Sequence, residues 1–332
     1  MTGRKEAAEK REAAAGKKEE RWLRETYVDL LIGAGEQNPD IVILEADLMK
    51  AAGTIRFKER FPERAINVGI AEANMMSVAA GMSAMGKIPF THTFTPFTTR
   101  RACDQVTLSI AYAGLNVKMM GSDPGVTAEL NGGTHMSMED MAVMRNIPGM
   151  VIYEPVDSVQ LRKIFPQIVS HYGPVYIRLL RRNAVSIFEE DQEFTLGKGT
   201  VIKEGTDVTI LATGIMVAEA VEAEKELKRE GIDAEVINIH TLKPLDEELV
   251  LQSAKKTKAV VTAENHSVIG ALGGAVSEFL SGTCPVPVIR VGVQDHFGEV
   301  GFTGFLQEKY GLTKKEITAA AKQAIQIRRE QA

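Results

Sequence analysis

Glu72 is the only charged residue between Arg64 and Lys87, inside the apolar and small-residue run Asn67–Gly86, NVGIAEANMMSVAAGMSAMG. A carboxylate buried there without a partner would be costly, and burial would push its pKa upward, the condition in which acids gather at functional sites. A Glu at a helix start also sits favourably on the helix dipole, so the residues alone leave both readings open. The other polar residues that stand out are His92, Asn131, His135 and the arginines Arg100, Arg101, Arg178, Arg181 and Arg182. Each has an ordinary structural reading. His92 sits among aromatics, as a satisfied core histidine does, and Arg178–Arg182 would serve as a solvated face. No Walker motif, no GxGxxG after a strand, no G-x-S-x-G elbow and no metal-ligand spacing is present.

The elements that must carry these residues alternate between helix and strand. Trp22–Gly35 has helical spacing, with Trp22, Leu23, Tyr27, Leu30 and Leu31 on one face, and Gly35, Asn38 and Pro39 stop it. Ile41–Leu44 is a continuous apolar strand that ends in Glu45-Ala46-Asp47-Leu48, an acidic edge at the end where open α/β sheets bind ligands. Asn67–Gly69 is a loop leading into a helix whose Ala79, Ala80, Gly81, Ser83 and Ala84 form a small-residue surface; Met75, Met76, Met82 and Met85 read as adaptable core. A helix is expected over Thr98–Ala113, a strand over Asn116–Met120, and a long polar loop over Gly121–His135, of the kind that is usually functional. Strands at Met150–Tyr153 and Val175–Leu179 flank a helix near Asp157–Ser170. After a linker near Asn183–Thr206 the alternation restarts, with strands at Asp207–Ala212, Glu235–Ile239, Ala259–Ala263 and Val286–Val291. Two such runs predict two consecutive α/β domains with mostly parallel sheets.

The 332 residues suffice for two cores, and 44% hydrophobic with 25% charged residues is globular composition. The net charge of −5 gives no sign of a nucleic-acid partner. Cys103 and Cys284 make neither a disulfide framework nor a metal pair, which points to a reducing compartment. No signal sequence and no membrane span is expected, so the chain reads as cytoplasmic. Residues 1–20 read as a charged, solvated tail.

Taken together the motifs resemble those of transketolases. Asn67-Val-Gly-Ile-Ala-Glu72 resembles F-x-x-G-I-x-E, and His92-Thr-Phe94-Thr-Pro-Phe97 is similar to A-T-F-x-x-F. Gly132-Gly-Thr-His135 is similar to G-P-T-H, Arg145-Asn-Ile-Pro-Gly149 to R-x-x-P-G, and Leu180-Arg181-Arg182-Asn183 to S-R-Q-N. Asp207–Gly214, Leu242–Asp246 and Thr262–His266 continue the likeness in order along the chain. The resemblance covers roughly residues 22–325 and implies a charged tail (1–20), a pyrimidine-binding domain (21–185), a linker (186–205) and a transketolase C-terminal domain (206–332). The diphosphate-binding half, with its G-D-G…N metal motif, is not in the sequence.

The resemblance implies the C-terminal subunit of a split transketolase of carbohydrate metabolism. Its cofactor would be thiamine diphosphate, with Mg2+ (or Ca2+) held by an N-terminal partner subunit and not by this chain, in an α2β2 assembly acting on sugar phosphates. Glu72 would hydrogen-bond the cofactor's aminopyrimidine and favour the tautomer that takes up the thiazolium proton, and the protein would supply tautomer control and placement. By the same resemblance Asp47, Leu48, Ile70, Phe94, Phe97 and Arg100 line the cofactor, Arg100 standing where the family often has a third aromatic. His135 is catalytic and substrate-binding, and Asn131, Arg24 and Arg181 bind substrate, the two arginines at its phosphate. Ala51 and Asp123 stand where the family has Ser and His, so the anion site is altered, and an inward-pointing Asp123 would repel phosphate. The other readings are the β subunit of a thiamine-dependent 2-oxo-acid dehydrogenase, half of a deoxyxylulose-phosphate synthase, and a non-catalytic assembly subunit.

Overall fold

The structure, a computed structural model, describes residues 17–331. The described residues form two compact units: residues up to 124 with 146–196, and residues 125–145 with those from 197 on. Of the expected charged tail, residues 1–16 lie outside the described residues. Lys17–Glu20 do not float in solvent: Lys18 pairs antiparallel with Val185, and the Glu19 carboxylate accepts from the Ser158 backbone and hydroxyl.

The first unit begins with helix α1 (Leu23–Gln37), whose Leu23, Tyr27 and Leu31 are fully buried. Strands β1 (Ile41–Glu45), β2 (Ala65–Asn67), β3 (Ile88–Phe94), β4 (Lys118–Ser122), β5 (Val151–Tyr153) and β6 (Val175–Leu179) lie in the order β5-β6-β4-β3-β1-β2, all parallel. Central strands β1, β4 and β6 bury every residue, which explains the continuous apolar run Ile41–Leu44 of β1. Helices α2 (Glu72–Ala84) and α3 (Ser158–Ser170) are crossovers. The core joins α1, α3 and the sheet through Tyr27, Phe90, Ile164, Phe165 and Ile177. The strand order reverses between β1 and β3, the switch point at whose C-terminal side doubly wound sheets open a ligand crevice.

The helix expected over Thr98–Ala113 is wound differently: Phe97–Arg101 and Gln105–Tyr112 are π-helical. Such widened turns recur at functional sites.

The second unit holds β7 (Thr200–Lys203), β8 (Val208–Ala212), β9 (Ala234–Asn238), a short β10 (Thr241–Lys243), β11 (Val260–Ser267) and β12 (Val288–Val293). Its sheet order is β12-β11-β8-β9-β7, parallel except for β7 against β9. Helices α4 (Met216–Arg229), α5 (Glu247–Thr257), α6 (Leu272–Thr283), α7 (Thr303–Tyr310) and α8 (Lys314–Glu330) pack with it. β7 falls inside the expected linker, because an edge strand with one half-wet face lacks a continuous apolar run. The expected Gly-rich loop contains a 3-10 segment, Gly125–Asn131. Gly125 has φ +52, and a Cβ there would overlap Asn265, whose Oδ1 accepts from Val126 N–H at 3.0 Å.

Candidate functional site

Glu72 opens α2 with only 3% of its side chain exposed, and it has a partner. One guanidinium nitrogen, Arg101 Nη1, donates to both carboxylate oxygens, at 3.0 and 2.9 Å, a charge-assisted pair. Arg101 also stacks 3.8 Å over the Phe97 ring. The π turn explains this choice: widening the turn keeps the residue four on above Phe97 and carries the residue three on, Arg100, outward to solvent. Phe97 meets Phe94 edge-on, with centroids 6.1 Å apart. Phe94 in turn lies 6.0 Å from the Arg181 guanidinium, whose Nε is 3.0 Å from Asp123 Oδ2. A continuous line of side chains therefore runs Glu72–Arg101–Phe97–Phe94–Arg181–Asp123 within the first unit.

The strand ends set this line. β3 delivers Phe94, and the chain leaves β4 at Asp123 and β6 toward Arg181. After β1, Asp47 takes a left-handed backbone, φ 61, fixed by an exchange with Asn67: Asp47 N–H donates to Asn67 Oδ1 at 3.0 Å and Asn67 Nδ2 returns to Asp47 Oδ1 at 3.1 Å. Gly69 N–H shares the same amide oxygen, so one side chain ties the end of β1 to the approach to Glu72. Asp123 is also left-handed, φ 56, its N–H donating to the Leu179 carbonyl. Strained backbone of this kind clusters at working sites.

Leu48, Ala51, Thr93, Phe94, Ser122 and Arg181 line a small recess. The Thr93 hydroxyl and Arg24 Nε are buried there or beside it without a hydrogen-bond partner, while Arg24 Nη1 donates to the Ala51 carbonyl. Burial and the neighbouring Arg181 charge push the Arg24 pKa down. Ile70, 76% exposed, stands just before Glu72. A cleft of about 700 Å³ lies elsewhere, between α1 and α3 beside Ile88 and Asn116 at the opposite strand ends, and none of the chemistry-bearing residues line it.

Asn131 and His135 belong to the second unit, Asn131 exposed and His135 half-buried. His135 Nδ1 and Thr134 Oγ1 are 3.0 Å apart. Of the standout arginines, Arg178 is not on a solvated face: it is fully buried, paired with Glu154 at 2.5 Å. β6 is buried along its whole length, so an arginine on it needs an internal carboxylate. Glu45 is likewise no acidic edge. It is fully buried, takes the Thr54 hydroxyl, and lies 3.5 Å from His92 Nδ1, while His92 Nε2 meets Tyr27 Oη at 2.8 Å. His92 is thus a core histidine. Among the described residues no group of three or more His, Cys, Asp or Glu could hold a metal ion. No described helix is long and apolar enough to cross a membrane.

Two family signatures match this chain: the transketolase pyrimidine-binding domain over residues 21–185 and the transketolase C-terminal domain over residues 197–317. The chain belongs to the transketolase family. It is 68% identical over 305 residues to the 6-deoxy-6-sulfo-D-fructose transketolase subunit SqwH of Clostridium sp. (strain MSTE9), covering 92% of this chain and 95% of that one. It is 36% identical to an apulose-4-phosphate transketolase subunit of Phocaeicola vulgatus, over 90% of this chain and 96% of that one. A solved structure described as a split gene transketolase, inactive beta4 tetramer, superposes with a TM-score of 0.85 at 48% identity, covering 93% of this transketolase chain and 99% of the other. The two mostly parallel sheets are those of the pyrimidine-binding and C-terminal domains.

The family's cofactor is thiamine diphosphate, and the first unit fits its pyrimidine end. A nearly buried carboxylate whose internal partner, Arg101, is half exposed stands beside two half-buried aromatic rings. Sequence reasoning missed Arg101's role because Arg100 occupies the aromatic position of the motif and nothing local announces a π turn.

Proposed function

We propose that this chain is the pyrimidine-holding subunit of a two-chain transketolase. It would move a two-carbon ketol unit from a ketose donor to an aldose acceptor, and its donor ends in a sulfonate. The observation that carries the first part is Glu72, a nearly buried carboxylate at a helix start beside Phe94 and Phe97. The 68% identity to a subunit named for 6-deoxy-6-sulfo-D-fructose supports the donor. Bound thiamine diphosphate supplies the carbanion chemistry. Glu72 would hydrogen-bond the pyrimidine nitrogen para to the amino-bearing carbon, and Phe94 and Phe97 would pack against its ring. Ile70 covers an edge, while Asp47 and Leu48 lie where the reacting ring sits. Arg24 and Arg181 hold the anionic end of the sugar. Asn131 and His135 take the sugar hydroxyls. The diphosphate and its metal belong to a partner chain.

The test is co-expression with a diphosphate-binding chain, thiamine diphosphate and Mg2+, followed by detection of the shortened and lengthened sugars. The pair is expected to convert 6-deoxy-6-sulfofructose and this chain alone to be inactive. Turnover by this chain alone would sink the two-chain reading. In the pair, Glu72→Gln is expected to lower kcat by about 100-fold or more, with cofactor binding retained by fluorescence quenching.

A further inference from the structure

We propose that Asp123 sets the charge of the sugar terminus this chain accepts: with Arg24 and Arg181 it forms a charge cluster, beside the small recess that Arg181 lines, that favours a singly charged sulfonate over a doubly charged phosphate. The inference rests on the ketol-transfer reading and names the residue by which that site chooses its donor.

The charge count comes from the geometry. Asp123 is fully buried, with Oδ2 3.0 Å from Arg181 Nε, and Arg181 is itself 18% exposed. Burial and then Arg181 lower the Arg24 pKa, while Glu25 and Asp123 raise it; Glu25 is 46% exposed and lies 4.0 Å from Arg21. With Glu25 set aside as exposed and beside Arg21, two guanidinium charges and the buried Asp123 carboxylate leave one positive charge, partly buried and so screened less than a surface charge. Two buried donors have no hydrogen-bond partner in the protein: the Thr93 hydroxyl, which lines the recess, and Arg24 Nε. Buried donors without partners are rare and call for a water, an ion or a ligand.

Two relatives frame the choice the recess must make. One is named for a sulfosugar and the other for a sugar phosphate. A sulfonate carries one negative charge throughout the working pH range. A phosphate monoester carries about −1.5 to −2 at pH 7, its second pKa being about 6. Within this cluster the second charge meets no third guanidinium and faces the Asp123 carboxylate. A monoanion fits the recess, and a dianion must protonate or stay out.

The backbone favours a short polar side chain at this position. With φ 56, Asp123 is in the left-handed region that Asp, Asn and Gly tolerate. Asp123→Asn therefore removes the charge while keeping the backbone and the size of the side chain.

The experiment compares kcat/KM for 6-deoxy-6-sulfofructose and fructose 6-phosphate, using this chain assembled with its diphosphate-binding partner, from about pH 5.5 to pH 8 so as to span the phosphate pKa. The wild type is expected to favour the sulfonate by about 100-fold at the alkaline end, an extra unpaired charge a few ångströms from a carboxylate being worth that much or more. The preference should narrow as pH falls and phosphate gains its proton, with the sulfonate profile flat. Asp123→Asn should narrow the preference by about tenfold or more at the alkaline end and remove its pH dependence. A wild-type ratio that ignores pH, or an Asn variant with the wild-type ratio, would overturn the assignment. If the variant does not fold, the wild-type pH profile decides alone. If no ketose is turned over, the ketol-transfer reading fails, and calorimetric binding of the same two sugars to the assembly still decides the charge rule.

Discussion

Beneath the line from Glu72 to Asp123, three buried side chains make a second polar set: Glu45, His92 and Tyr27. Burial drives Glu45 and His92 to their neutral forms, raising the Glu45 carboxyl to about 8, against the Thr54 hydrogen bond, and lowering His92 to about 3. The signs oppose. From about pH 4.3 to 8 the folded state holds a proton on Glu45 that the unfolded state has lost, so this contribution, full below pH 4.3, fades as pH rises through 8. From about pH 3 to 6.5 the unfolded state holds a proton on His92 that the folded state lacks, so that contribution is full above 6.5 and fades as pH falls through 3. The two nearly cancel between about pH 4.5 and 6.5, and Glu45 acts alone from about 6.5 to 8. Urea unfolding should show wild type losing about 1 kcal/mol per pH unit relative to Glu45→Gln in that upper window; parallel curves would refute the protonated Glu45. The sequence showed Glu72, Phe94, Phe97, Arg24 and Arg181 because apolar context and motif order mark them. It did not show the pairing of Glu45 with His92 or of Arg178 with Glu154, since such partners meet only across a sheet.

Among the elements, those with a strong period or a fully buried run were legible: α1, α2, α3 and β1 stand close to where their patterns put them. The π turn at Phe97–Arg101 was not, because winding there depends on packing and not on a propensity that a short run of Thr and Arg carries. β7 was missed for want of an apolar signal. The junction at Asp157 shows how one residue fixes an element that positions the site. Its Oδ1 caps α3 by accepting from Gln160 N–H at 2.9 Å, and its Oδ2 accepts from Ile187 and Phe188 N–H at 2.9 and 2.8 Å. That ties α3 to the chain leaving Arg181. Asp157→Ala is expected to cost about 3 kcal/mol in chemical denaturation, a lost cap plus stranded buried N–H groups. Asp157→Asn should cost clearly less. Equal losses would show that the hydrogen bonds at this junction are incidental.

Across the whole molecule, the match spans 95% of the SqwH subunit, and among the described residues no grouping of His, Cys, Asp or Glu would hold a metal. Each unit also exposes apolar side chains: Ile70, Met85, Leu108 and Tyr112 on the first, and Phe297, Val300, Phe302 and Phe305 on the second. Solitary exposed apolar residues are ordinary, but clusters mark association surfaces. The chain alone is therefore expected to sediment above its monomer mass. Replacing Phe297 and Phe305 by Asp should lower that mass with helical circular dichroism unchanged. A wild-type chain that runs as a monomer at micromolar concentration would show these surfaces to be inert. Exposure of this kind is invisible in composition, because the same phenylalanines would read as core on any helix.

The left-handed backbone at Asp123 has a consequence for descent. It confines tolerated replacements to a few short residues, and two of them, Asn and Gly, lie a single base change from either aspartate codon. If the charge of the sugar terminus is read at this residue, a lineage can cross from sulfonated to phosphorylated donors in one mutational step that leaves the scaffold standing. Genes of this type would then diverge in diet faster than in architecture.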